Sequence, residues 1–236
     1  MVMTQGHVLS HEGGQRVRVR LARRGMGCAL SQLQQIDMVK KALVNAGWPV
    51  SYGQSRKAKI RISFGPAISV GYESECELFD LDLAKPLDKR EGSESLQKHL
   101  SEGYSVRMIK NIPRFFPSLE ASSHVASYEV SSLVLKNTAN KWEEFWKKSQ
   151  FLVVKKKKDR DVVVDVRACV KKWILEDEKV QLDLRFGPGR TLKPERVIQA
   201  ICDLPNDVTL GYPIGHFCVN RKALFLERKD GGLIEI

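Results

Sequence analysis

The chain's hydrophobic spacing predicts an α+β fold: a ferredoxin-like βαββαβ first domain, then a second, mainly antiparallel α+β domain. Three observations carry this. Apolar side chains alternate with polar ones in several short runs, helical stripes separate some of those runs, and proline-rich sequence around residue 113 interrupts both patterns.

In the first half, Val17, Val19 and Leu21 alternate with Arg16, Arg18 and Arg20, the period of a half-buried strand. Ser31 is placed to cap a helix with Gln34 reaching back, and Leu33, Ile36, Val39 and Leu43 supply an apolar stripe. Gly47 suits a left-handed cap, and Pro49 cannot continue the hydrogen-bond ladder. Ile60, Ile62 and Phe64, and later Phe79, Leu81 and Leu83, predict two strands that pair across a Gly65-Pro66 turn. A polar helix around Leu96–Leu100 and a strand from Tyr104 to Lys110 complete the βαββαβ order over 16–112. Pro113 and Pro117 then break the periodicity, so 113–123 reads as a linker or docking strap and 124–236 as the second domain.

That second domain opens with a strand near Tyr128–Leu135. A short helix follows, with Asn140 and Glu143 as its cap pair and Trp142, Phe145 and Trp146 on one face as core. Phe151–Lys155 and Val162–Val166 read as strands around an exposed basic loop, Lys156-Lys157-Lys158-Asp159-Arg160. Trp173–Glu176 and Val180–Phe186 form another pair, and Asp165 and Arg167 read as an ion pair at a strand edge. Pro194 opens a helix, where a missing N–H costs nothing, and Phe217–Ile236 supplies two last strands.

Charge directs attention to a polyanion. The 236 residues carry 39 Lys and Arg against 28 Asp and Glu, a net +11, and each phosphate neutralised by such side chains releases condensed counterions. The five cysteines are odd in number and widely spaced, which suits free thiols in a reducing cytoplasm better than a disulfide framework. The sequence offers neither an export signal nor the roughly 18 apolar residues of a membrane span. No G-x-S-x-G, H-E-x-x-H or Walker sequence occurs. His216 and Cys218 are the only close His/Cys pair, and Cys169 and Cys202 lie too far upstream for a standard zinc spacing. The expectation is therefore no catalytic residue, no metal and no cofactor, with Asp37, Asp165 and Glu195 as isolated carboxylates.

The runs Leu30-Ser31-Gln32-Leu33, Asn45-Ala46-Gly47-Trp48-Pro49, Val50-Ser51-Tyr52-Gly53-Gln54 and Lys59 through Glu75 resemble a bacterial family known as radical-SAM-linked proteins. Val164-Asp165-Val166-Arg167 and Lys193 through Ala200 are similar to its second-half signatures. Members are fused to, or encoded beside, radical SAM enzymes, and some lie near ribonuclease genes, so the resemblance implies an RNA-modification setting with a radical SAM enzyme acting in trans. The chain has no Cys-x₃-Cys-x₂-Cys run, so the cluster chemistry would be the partner's. It departs from the family in having Gln32 and Gln34 where His and Asp are usual, and Ser55-Arg56-Lys57-Ala58 where Gly-Phe-Asn-Pro is usual.

The expected role is a non-catalytic, RNA-facing accessory protein, with a protein-binding scaffold and a cryptic RNA-modifying enzyme as alternatives. The expected nucleic-acid contacts are Arg16, Arg18, Arg20, Lys59 and Arg61 on the first sheet, Arg56 and Lys57 on its loop, and Lys155, Lys156, Lys157 and Lys158 from the second half. Asp80 and Asp82 should lie between the two basic strands and neutralise part of that face, and no aromatic residue projects from it, so backbone rather than base recognition is expected.

Overall fold

The structure, a computed structural model, describes residues 14–54, 58–157, 160–187, 192–204 and 217–236. These residues form a mixed α/β arrangement of eleven strands and six α-helices around one large, mainly antiparallel sheet.

The first half contributes β1 (Gln15–Arg23), α1 (Gln32–Asn45), β2 (Ile62–Phe64), β3 (Glu73–Leu83), α2 (Lys89–His99) and β4 (Tyr104–Asn111). β1 lies between β4 and β3, antiparallel to both, and β2 pairs with β3. Val17, Val19 and Leu21 are fully buried with Phe79, Leu81 and Leu83 against Val39, Leu43 and Leu96 of the helices. Each such side chain contributes about 1.5–3 kcal/mol of burial. Ser31 and Gln34 form the expected capping box, and Gly47 adopts φ +70°. The buried stripe of α1 differs from expectation. It comprises Gln35, Val39, Ala42 and Leu43, while Leu33 is exposed. Gln35 takes an inward position because its amide has two buried charged partners there, described below.

Residues 112–123 are packed across the other face of this sheet. Helix α3 (Leu119–Ser122) carries the fully buried Leu119, and the Arg18 guanidinium lies 5.4 Å from the centre of the Phe116 ring. The segment is therefore a strap.

The second half runs β5 (Val125–Ser131), α4 (Ala139–Lys147), β6 (Leu152–Lys157), β7 (Arg160–Asp165), α5 (Val166–Cys169), β8 (Val170–Glu176), β9 (Lys179–Arg185), α6 (Pro194–Cys202), β10 (Cys218–Glu227) and β11 (Leu233–Glu235). β6 and β7 form a separate two-stranded hairpin. The others extend the main sheet in the order β4-β1-β3-β10-β5-β9-β8, with β11 on β10. β10 is antiparallel to β5 but parallel to β3, through Asn220 opposite Glu73 and Arg221 opposite Ser74. The first half therefore does not stand as a separate ferredoxin-like sheet: β3 shares one of its edges with the last long strand of the chain.

Buried polar groups fasten this join. Arg221 Nη2 donates to Glu77 Oε1 at 2.6 Å, Gln35 Nε2 to Glu77 Oε2 at 2.8 Å, and Arg23 Nη1 to Gln35 Oε1 at 3.1 Å. Arg23 also donates to the carbonyls of Tyr72, Cys28 and Ser69, and Arg221 to that of Pro66. Burial pushes the Glu77 carboxyl up, but Arg221, Ser74, Gln35 and Arg23 outweigh it and hold it below the ordinary carboxylate range. Cys76, Leu78, Leu119, Ala126, Leu224 and Ile236 form an apolar cluster along the same seam.

Three second-half expectations change. α4 starts at Thr138 with no side-chain cap, so Asn140 and Glu143 are not a cap pair. Trp142 and Phe145 are buried as expected, but Trp146 is 37% exposed, with the Arg167 guanidinium 3.7 Å from the centre of its ring. Asp165 caps α5 by accepting from the Arg167 backbone N–H, so the expected side-chain ion pair is replaced by a cap and a cation–π contact.

At the far end of the sheet, Glu227 accepts from Arg185 at 3.0 Å and from Lys171 at 2.7 Å. Hydrogen bonds from Arg185 and then Lys171 outweigh burial and lower its pKa from 4.5 to about 2. Because the folded value is depressed, this contribution to stability is fully present above pH 4.5 and is lost as the pH falls through about 2. Glu227→Gln should therefore destabilise the protein at neutral pH by about 1–2 kcal/mol, after allowing for solvent screening, and by progressively less towards pH 2. Denaturant melts at several pH values check this, and a penalty that does not vary with pH would remove the carboxylate charge as its source.

Candidate functional site

The segments on either side of residues 55–57 run back to back as an arm on the end of β3. Tyr52 and Ile60 form an antiparallel bridge, and the Gly53 N–H donates to the Lys59 carbonyl at 2.9 Å. At the base, Ser51 N–H donates to the Asp82 carbonyl at 2.8 Å and Asp82 N–H to the Arg61 carbonyl at 3.0 Å. Val50 and Ile60 turn one face of this arm to the first-half core, while Arg61 lies on the other face with Asp82. Between arm, β1 and strap lies a cleft of about 910 Å³, whose walls include Tyr52, Arg61, Ser63, Asp82, Arg16 and Arg114.

Electrostatically the cleft is a mixed-charge floor with a basic rim. Arg18 Nε and Nη2 donate to the two oxygens of Asp80 at 2.7 and 3.0 Å, and Arg16 Nη2 reaches Asp80 at 3.2 Å. Arg16 also donates to the carbonyls of Arg114 and Phe116, which ties the strap to β1. Arg61 Nε lies 3.1 Å from Asp82. Three guanidiniums thus face two carboxylates, with exposed Lys59 on the neighbouring arm.

The expected contacts therefore separate. Arg18 is fully buried beneath the strap and is not available to RNA. A charged residue this deep is there because it is paired. Arg20 is committed to Glu235 at 2.5 Å and to the Glu75 and Lys222 carbonyls. Arg16 is largely spent on Asp80 and the strap but still lines the cleft, as does the half-exposed Arg61, while Lys59 is exposed on the arm. The open basic face expected from β1 is thus a covered face, with Lys110 of β4 pulled below its ordinary pKa by burial and by Arg18. Arg56, Lys57 and Lys158 lie outside the described residues. Lys155, Lys156 and Lys157 fall on β6, opposite Val162, Asp161 and Arg160 of β7.

Sequence reasoning missed Tyr52. It is 51% exposed on the cleft wall and belongs to none of the three apolar clusters. Its one available signal was an aromatic residue beside Gly53 in a stretch with no strand or helix period.

No catalytic constellation assembles from the expected carboxylates. Asp37 is on the exposed side of α1, Asp165 is a helix cap, and Glu195 is buried on α6, where it accepts from the Tyr72 hydroxyl and burial pushes its carboxyl up. The cysteines are dispersed: Cys28, Cys76, Cys169 and Cys202 are buried, while Cys218 is exposed beside a hollow of about 180 Å³. His216 lies outside the described residues. Among the described residues no group of three or more His, Cys, Asp or Glu side chains is arranged to hold a metal ion. No described helix is long and apolar enough to cross a membrane.

Fold and cleft together define a mixed α/β protein with a single large sheet and a basic-rimmed cleft at one end. Residues 16–194 match a family described as an uncharacterized protein conserved in bacteria (DUF2344), and the chain belongs to that family. No curated protein matches the chain. Among solved structures, the crystal structure of an unknown protein from Galdieria sulphuraria aligns over 94% of this chain and 99% of its own. At 10% identity and a TM-score of 0.28, that likeness carries no argument about fold or function.

Proposed function

We propose that the protein is a non-catalytic, RNA-facing accessory factor that acts with a separate radical SAM or RNA-processing enzyme. The observation that carries this reading is the cleft, whose walls include Arg16 and the half-exposed Arg61, in a chain of net charge +11. Cations along a groove are what a nucleic-acid backbone uses as partners for its phosphates. The resemblance in sequence supports the class of enzyme partner.

The hairpin lysines extend the same reading away from the cleft. Replacing Lys155, Lys156, Lys157 and Lys158 together by Gln should weaken RNA binding and lower the slope of log affinity against log salt by about 0.7 for each phosphate no longer neutralised. A filter-binding titration from low to physiological salt checks this. An unchanged slope would take the hairpin out of the RNA surface.

One observation favours a protein-binding scaffold instead. Leu152, Val154 and Val163 are exposed on the β6–β7 hairpin, and a two-stranded hairpin with an uncovered apolar side is marginal by itself. The readings separate on purification at low salt: protein that retains no RNA and binds none added back would favour the scaffold.

A further inference from the structure

Among the described residues, β8 is the last strand of the main sheet, and nothing pairs with its outer edge. We propose that this edge takes a second copy of the chain, β8 against β8 and antiparallel about Ile174, so that the two sheets run on as one. The proposal goes beyond the RNA-facing reading and does not depend on it.

Backbone parity supplies the bonds. The two-residue turn Asp177-Glu178 makes Glu176 and Lys179 a hydrogen-bonded pair, so Glu176, Ile174 and Lys172 spend their N–H and C=O groups on β9. Trp173 and Leu175 therefore turn theirs outward. In an antiparallel pair with Ile174 opposite its own counterpart, Trp173 falls opposite the partner's Leu175. Each such pair exchanges two N–H···O=C bonds, and the two-fold axis repeats it on the other side of Ile174.

The side chains agree with the same register. Lys172, Ile174 and Glu176 share the exposed face, with Ile174 37% exposed at its centre, while Trp173 and Leu175 lie on the core side. Lys172 and Glu176 stand equally far from Ile174, so the axis sets each Lys172 against the partner's Glu176. β9 continues the pattern, since Asp183 is opposite Lys172 and Lys179 is opposite Glu176. Across the join the row reads Lys179, Glu176, the partner's Lys172 and the partner's Asp183, with the sign alternating at every step. An edge guarded against its own kind carries one sign of charge instead, as β4 does at the other end of the sheet with Arg107, Lys110 and no acid. Pairing over residues 172–176 uses far fewer than the roughly 20–30 residues a side of a standard interface, so the dimer is weak and forms as concentration rises.

The test is sedimentation equilibrium of the full chain over a rising series of concentrations. The parent should pass reversibly from monomer to dimer and go no further, because pairing uses up the edge in both copies. Lys172→Glu and Glu176→Lys should each weaken the dimer about 10-fold or more, as two like-charge oppositions replace two attractive ones. Both sites are exposed, so circular dichroism should show each variant folded as the parent is. Mixing the two variants should restore dimers of parental strength, because every acid of one copy then meets a base of the other. A parent that stays monomeric at the highest concentration, or that grows beyond a dimer, would overturn the proposal. Single variants that dimerise as the parent does, or a mixture no stronger than either variant alone, would overturn it equally.

Discussion

Glu77→Ala should destabilise the protein by about 3–5 kcal/mol, because it removes the counter-ion of Arg221 and leaves a guanidinium buried at the seam of the sheet. The carboxylate has no solvent to lose its place to. It accepts from Arg221 at 2.6 Å and from Gln35 at 2.8 Å, and Gln35 in turn accepts from Arg23 and from the Tyr104 hydroxyl. Total stability is typically about 5–15 kcal/mol, so the single variant risks poor expression. The double variant Glu77→Gln with Arg221→Met supplies the control. Removing both charges should restore much of the loss, since a buried ion pair is often worth little more than well-packed apolar groups. Urea melts of parent, single and double variants measure this. A cost below about 1 kcal/mol for Glu77→Ala would show that the pair is solvated and does not fasten the halves.

Trp142→Ala should cost a similar amount, about 3–5 kcal/mol, by opening a large aromatic cavity. Its indole is fully buried, with the Trp173 ring centre at 5.3 Å and that of Phe145 at 6.4 Å. Trp146→Ala should cost far less, about 1 kcal/mol, because its exposed ring surrenders mainly the stacked Arg167. Thermal melts of the two variants decide the point, and equal losses would mean that Trp146 is packed in solution. Helical spacing places all three aromatics on one face but does not say where that face ends. On α4 that buried face ends at Phe145.

What the sequence made legible was local. The Ser31–Gln34 box, the left-handed Gly47, Pro194 at a helix start and the alternation of Val17, Val19 and Leu21 each depend on residues a few positions apart. The β3–β10 edge was not legible, since it joins segments 147 residues apart through two registered pairs. That one edge turns an expected ferredoxin-like sheet into part of a larger one. The arginines of β1 misled for a related reason. Alternation identified the correct face, and it put Asp80 and Asp82 opposite them, but only the strap and the C-terminal strand show that the face is covered. The cleft stayed hidden because its walls come from the arm, β1 and the strap, which lie far apart in the sequence, and Arg61 was recognised only as one of several cations.

The parallel pairing of β3 with β10 also sets a schedule for synthesis. Glu77 leaves the ribosome 144 residues before Arg221, a delay of roughly 7–30 s at about 5–20 residues per second. Throughout that interval Glu77 lacks its Arg221 counter-ion, and the start of β3 lacks its β10 neighbour. The Glu77–Arg221 pair and the β3–β10 edge therefore form only after the last long strand has emerged. Agents that hold nascent chains open should raise the yield of this protein more than that of one whose halves close independently.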